Sequence, residues 1–158
     1  QKAIGWTALW DAVGVYLDGA SELAGRKVML LYTDGGDTTS AMSFSDLIDL
    51  AKASDVTIYP IGELEHQSST GRMEARRTLT ALANTTGGQA FFPASDKELE
   101  SIYDKVVHEI RAQYTIGYVS TNAGTDGAWR DVEVRIAGSQ ARRYRVRSRR
   151  GYFGPFKK

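Results

Sequence analysis

Lys27-Val28-Met29-Leu30-Leu31-Tyr32-Thr33-Asp34-Gly35-Gly36-Asp37-Thr38-Thr39-Ser40 is the stretch that decides the fold: an apolar run passes directly into a polar loop with two aspartates. An unbroken apolar run of strand length, stopped by Asp-Gly-Gly, reads as a strand buried on both faces, as in the centre of a parallel sheet. In open α/β sheets ligands bind outside the carboxyl ends of strands, so Asp34 and Asp37 stand where binding or chemistry is expected. The same residues also suit an ordinary turn, because Asp bonds to nearby backbone and Gly adopts positive φ.

Outward from this strand the chain alternates helix and strand. Upstream, Leu9, Val13 and Leu17 recur at helical spacing with Trp10 beside them, and Thr7 offers an N-cap, so a helix begins at or just after Thr7. Downstream, Ser43 and Asp46 resemble a capping box, followed by Phe44, Leu47, Ile48 and Ala51 on one stripe. Asp55 to Gly62 is rich in β-branched and aromatic residues, with Pro60 and Gly62 marking the strand end. Glu63 to Gly71 reads as a loop, Arg72 to Asn84 as a helix with Ala75, Leu79 and Leu82 inward, and Gly87-Gly88 as its C-cap. Gln89 to Phe92 reads as a short strand. A full capping box at Ser95 and Glu98 then opens a helix with the stripe Leu99, Ile102, Tyr103, Val106, Val107 and Ile110. Strands alternating with helices at this spacing imply βαβ crossovers, hence an α/β fold with a doubly wound, mostly parallel sheet over residues 1–112.

Past Arg111 the period falls to two. Tyr114, Ile116 and Tyr118, then Val132, Val134 and Ile136, then Tyr144 and Val146 predict an antiparallel meander over residues 113–158. Placing Ile136 opposite Arg142 pairs Glu133 with Arg145 and Asp131 with Arg147 on one face. That pairing absorbs much of a basic end: residues 141–158 carry +8 against a net charge of +1, leaving −7 on the rest of the chain. The remaining Arg149, Arg150, Lys157 and Lys158 could meet the acidic body, a membrane surface or a polyanion. Nucleic acid is disfavoured, since the body is acidic and no basic-aromatic platform recurs.

The 158 residues, 42% hydrophobic and 25% charged, suit a soluble globular domain able to bury a core. No run is apolar and long enough to span a bilayer as a helix, and with no cysteine, thiolate and disulfide chemistry are excluded. His66 and His108 lack a partner at ligand spacing, no Gly-x-Ser-x-Gly elbow is present, and Gly35-Gly36 begins no phosphate-cradling fingerprint.

Thr7-Ala8-Leu9-Trp10-Asp11-Ala12 followed by Val28 to Thr38 resembles the second half of a von Willebrand factor type A domain. The resemblance is nearest to a bacterial group, through Arg26-Lys27, Asp37-Thr38-Thr39-Ser40, Asp55 to Tyr59, Gly87 to Phe92, Gln113 to Tyr118 and Arg149 to Phe153. It implies a Rossmann-like sheet carrying a metal-ion-dependent adhesion site, with Thr7 as its threonine and Asp34 as its aspartate. A hydroxyl and a carboxylate are hard ligands suited to magnesium, calcium or manganese. The loops Asp37 to Ser43 and Ser68 to Arg72 are expected to flank the site, with Asp37, Thr38, Ser40 and Thr70 facing a protein partner that offers an acidic residue. An extracytoplasmic location, periplasmic or secreted, accompanies this resemblance.

One element of the pattern is missing: the chain has no Asp-x-Ser-x-Ser motif. The family's first strands are expected upstream of Gln1, and without their ligands metal affinity should be poor. Val28 to Tyr32 would then have a bare edge, to be covered by the missing half or a second copy. Three functional readings follow, beside the less favoured one of a polyanion-binding module through the basic end. The first is a non-catalytic adhesion or assembly module with an incomplete metal site, and the second is a structural unit without metal. The third is a metal-assisted phosphohydrolase using Asp34 and Asp37, for which a second metal loop or nucleophile is lacking.

Overall fold

A computed structural model describes residues 5–122, 124–139 and 141–156. Its first half is ordered as α1 (Leu9–Ala20), β1 (Lys27–Thr33), α2 (Phe44–Ala53), β2 (Val56–Gly62), α3 (Ser69–Thr86) and α4 (Asp96–Arg111). The second half holds two short strands, β3 (Trp129–Asp131) and β4 (Gly151–Phe153), with a 3-10 turn at Ala141–Arg143 between them.

β1 and β2 pair in parallel from Lys27↔Val56 to Thr33↔Gly62, with α2 as the crossover. The period-two geometry of β2 sends Val56 and Ile58 to one face and Tyr59 and Ile61 to the other. The first face packs on Leu9, Val13 and Leu17 of α1, Leu47 and Ala51 of α2 and Leu82 of α3. The second packs on Ile102 and Val106 of α4. Helices therefore lie on both faces of this strand pair, an α/β arrangement as expected.

β1 departs from the expected strand buried on both faces. Met29 and Leu31 join the α1–α2 core, and Val28 joins the α4 side, but Leu30 and Tyr32 remain 42% and 53% exposed. The reason is lateral: α4 packs over Tyr59 and Ile61 of β2 and leaves the far end of β1 uncovered on that face. Among the described residues β1 pairs with β2 alone.

On the other side of β2, the strand expected at Gln89 to Phe92 shortens to one parallel bridge, Ile61↔Phe91. Phe91 N–H donates to the Pro60 carbonyl and Gly62 N–H to the Phe91 carbonyl, both at 2.8 Å. Pairing extends no further back because Thr86 Oγ1 already accepts Ile58 N–H at 3.0 Å, and Gly88 presses on the Ile58 carbonyl. A Cβ at Gly88 would lie 2.0 Å from that oxygen, so only glycine fits.

The helix ends show where local sequence governs. α2 has the expected capping box between Ser43 and Asp46, and α3 ends on Gly87 at φ 81° in the left-handed region. Three helix starts differ in boundary or in capping. Ser68 caps Gly71 N–H at 3.1 Å, so α3 starts at Ser69 rather than Arg72, and Thr70 lies in its first turn rather than in a loop. At α4, Ser95 Oγ accepts Glu98 N–H, but the Glu98 carboxylate takes Ala94 N–H at 2.8 Å, so the expected box is only half formed. At α1 the cap residue is Ala8, not Thr7, and no side chain of its own caps it.

The meander expected past residue 112 takes another form. Tyr114 to Tyr118 is not a strand, and Tyr114 and Ile116 are exposed. The antiparallel pairing observed is Trp129↔Phe153, Arg130↔Tyr152 and Asp131↔Gly151. This displaces the partner of Asp131 from Arg147 to Gly151. Close approach explains the choice: a Cβ at Gly151 would lie 2.2 Å from the Arg130 carbonyl, while Trp129 and Phe153 pack edge to face at 5.0 Å between ring centres. The expected pairs Glu133–Arg145 and Asp131–Arg147 give way to Glu133–Arg135 and Glu109–Arg147. Lys157 and Lys158 lie outside the described residues.

Candidate functional site

β1 delivers Asp34 at its carboxyl end, and the loop turns immediately. Gly35 sits at φ 78°, and a Cβ there would come within 2.5 Å of Ala75 Cβ on α3, so the turn needs glycine twice over. Asp34 is exposed. Its Oδ1 accepts Gly36 N–H at 3.0 Å, the Asx-turn that the sequence suggests, and its Oδ2 accepts Gln67 Nε2–H at 3.2 Å. The β1 loop is thereby tied to the segment leading into α3.

Thr7 lies beside the same loop through its backbone. Its N–H donates to Thr38 Oγ1 at 2.7 Å, and its carbonyl accepts Thr38 N–H at 2.8 Å and Thr39 N–H at 3.2 Å. Its own hydroxyl makes no hydrogen bond among the described residues, which corrects the N-cap expectation.

Residues of the loop take over the capping. Asp37 Oδ1 accepts Trp10 N–H at 3.2 Å, and Ser40 Oγ accepts Asp11 N–H at 3.1 Å while donating to Asp37 Oδ1 at 2.5 Å. Two of the orphan amides of α1 are thus satisfied by side chains about thirty residues away. In return the Asp11 carboxylate accepts Ala41 N–H and Met42 N–H, each at 2.9 Å. Those two backbone donors hold the Asp11 carboxyl below its ordinary range.

The structure thus sets two bonded pairs side by side on one loop, Thr7 with Thr38 and Asp37 with Ser40, and places Asp34 on a neighbouring tether to Gln67. Among the described residues no hydrogen bond joins Asp34 to Thr7, and Thr70 lies in the first turn of α3, three positions after the Gln67 that holds Asp34. Asp11 stands in the sequence only as part of the Thr7 to Ala12 stretch, with no role assigned to it. The available signal was an acid in the first turn of a helix whose cap position holds alanine.

As metal donors, the Thr7 hydroxyl and Asp34 carboxylate are right in kind, being exposed hard oxygens. They are few in number. No group of three or more His, Cys, Asp or Glu suited to a metal occurs among the described residues. The carboxylate of Asp37 is directed into the clasp with α1.

The basic end also has structural work. Arg149 Nη2–H donates to the Lys52 carbonyl at 2.7 Å, near the end of α2; outside the basic end, Arg26, just before β1, does the same for α4, its Nη1–H donating to the Ile110 carbonyl at 2.9 Å. Cations at carbonyl ends of helices are favourable. Burial pushes the Arg149 guanidinium down, opposed by nearby Asp55. A cleft of about 340 Å³ bordered by Arg145, Arg149 and Arg150 also borders Gly87, at the carbonyl end of α3. No described helix is long and apolar enough to cross a membrane.

Residues 4–105 match the family model of the von Willebrand factor type A domain. No curated protein matches. A solved structure from Vibrio fischeri, described as an uncharacterized membrane spanning protein, is similar at 25% identity, with a TM-score of 0.45. The similarity covers 64% of this chain and 53% of that one, so the chain spans about half of that protein's length.

Proposed function

The chain belongs to the von Willebrand factor type A domain family, and from that membership we propose that it is a non-catalytic adhesion or assembly module that binds a partner protein at the strand-end surface formed by Thr7, Asp34 and the loop after β1. Domains of this family are generally protein-interaction modules, typically without catalysis. The observation that carries the reading to this surface is the bonding of Thr7 to the loop that follows Asp34, which joins two segments separated by 31 positions at the end of β1.

In its metal-dependent form, the Thr7 hydroxyl and the Asp34 carboxylate would hold a divalent cation, and the cation would bridge to a carboxylate of the partner. Thr38 and Thr70 would stand at the rim, with Asp37 and Ser40 holding the loop in shape. Because oxygen sites draw affinity from ligand number and charge, two donors give weak binding in this chain alone. Further ligands, from upstream sequence or another chain, would complete the shell. An extracytoplasmic setting fits this reading.

Calorimetric titration with magnesium, calcium and manganese tests it. The expected result is a weak saturable response that disappears in Asp34→Ala and Thr7→Ala. A wild-type protein with no response to any of the three, even when supplied with the upstream sequence, would refute the metal-dependent form and leave an assembly unit without metal.

A further inference from the structure

α1 and the loop after β1 hold each other from both sides. The helix contributes the Asp11 carboxylate, which takes the Ala41 and Met42 amides. The loop contributes Asp37 and Ser40, which take the Trp10 and Asp11 amides. Just upstream, Thr38 closes on the backbone of Thr7 with bonds in both directions. A local cap at position 8 would have sufficed to start a helix, but alanine there has nothing to offer, so the start of α1 depends on the loop and the loop depends on α1.

We propose that Asp11 is the positioning residue of this surface: by strapping residues 41 and 42 to the first turn of α1, it fixes Thr38 against Thr7. Its consequence for partner binding rests on the function proposed above, but the strap itself does not. A carboxylate suits the role because each of its two oxygens serves a different amide. Asparagine keeps one acceptor, and alanine keeps none. A competing account gives Asp11 only the favourable charge of an acid in a first helical turn. The two accounts differ at Thr38 and Thr39, whose amides bond to the Thr7 carbonyl and not to Asp11.

Amide hydrogen exchange on the whole chain separates them. In Asp11→Ala the Ala41 and Met42 amides should exchange on the order of tenfold faster, as loss of a hydrogen bond to a charged group implies. Thr38 and Thr39 should follow in the same direction, and Asp11→Asn should fall between wild type and alanine. Ile58 and Ile61 in β2 serve as the reference for global stability, and if alanine at position 11 loosens them too, the asparagine variant decides. Wild-type protection at Thr38 and Thr39 in a variant whose Ala41 and Met42 amides have been freed would overturn the proposal. The metal titration of the wild-type protein is a separate experiment, so a failure of the metal reading is distinguishable from a failure of the strap.

Discussion

Replacing Asp37 by alanine should destabilise the protein, while replacing Thr7 by alanine should leave stability nearly unchanged. Asp37 Oδ1 accepts Trp10 N–H at 3.2 Å and the Ser40 hydroxyl at 2.5 Å, so its removal leaves an amide in the first turn of α1 unpaired and frees Ser40. Loss of a capping side chain costs about 1–2 kcal/mol in such settings. For a chain of this size each kilocalorie lowers Tm by about 2–4 °C, so a fall of about 2–8 °C is expected. The Thr7 contacts to the loop run through its backbone and survive truncation of the side chain, which places Thr7→Ala within about 0.5 kcal/mol of wild type. Urea unfolding followed by far-UV circular dichroism measures both variants under the same conditions, with unchanged m-values required for the comparison. A Thr7→Ala variant that falls as far as Asp37→Ala would show that the Thr7 hydroxyl caps α1 after all, and the reasoning about a borrowed cap would fail.

Gly88→Ala should be among the most damaging single substitutions, because the new methyl meets backbone rather than a movable side chain at 2.0 Å from the Ile58 carbonyl. A cost at or above the upper end of the ~1–3 kcal/mol typical of overpacking is expected, read as a lowered urea midpoint, and a wild-type midpoint would contradict the close packing of this turn on β2. The Asp11 carboxyl is lowered from its ordinary value of 3.8 by the Ala41 and Met42 amides. A lowered folded-state pKa means that the unfolded state binds more protons, so the contribution is present above about pH 4 and is lost as pH falls through the folded value. Asp11→Asn should therefore flatten the acid limb of a stability-against-pH curve below about pH 4, and an unchanged limb would refute the assignment.

The parts of the fold written in local sequence were legible. Ser43 and Asp46 are three residues apart and cap α2 as read, and Gly87 ends α3 because a left-handed turn there needs no neighbour to dictate it. The apolar content of β1 was equally clear, but which of its faces would be covered depended on where α4 settled, and no residue of β1 encodes that. Pairing in the C-terminal half misled for a similar reason. Alternation marked Val132 to Ile136 and Tyr144 to Val146 as extended, while the register was set by the fit of Gly151 against Trp129 and Arg130. At the candidate site, the position of Asp34 followed from the strand end alone. The bonds by which Asp11, Asp37 and Ser40 join α1 to the loop span 27 to 31 positions and run from side chain to backbone, a type of contact that leaves no periodic trace.

The bond from Arg149 to the Lys52 carbonyl crosses 97 positions of sequence. On a ribosome adding about 5–20 residues per second, about 5–20 s separate the emergence of the acceptor from that of its donor. During that interval α2 can pack on β1 and β2 with its last turn still hydrated, and the guanidinium arrives to close a helix that has already docked. Synthesis order therefore separates two tasks: the early half builds the sheet and its helices, and the late half supplies the donor that closes the end of α2.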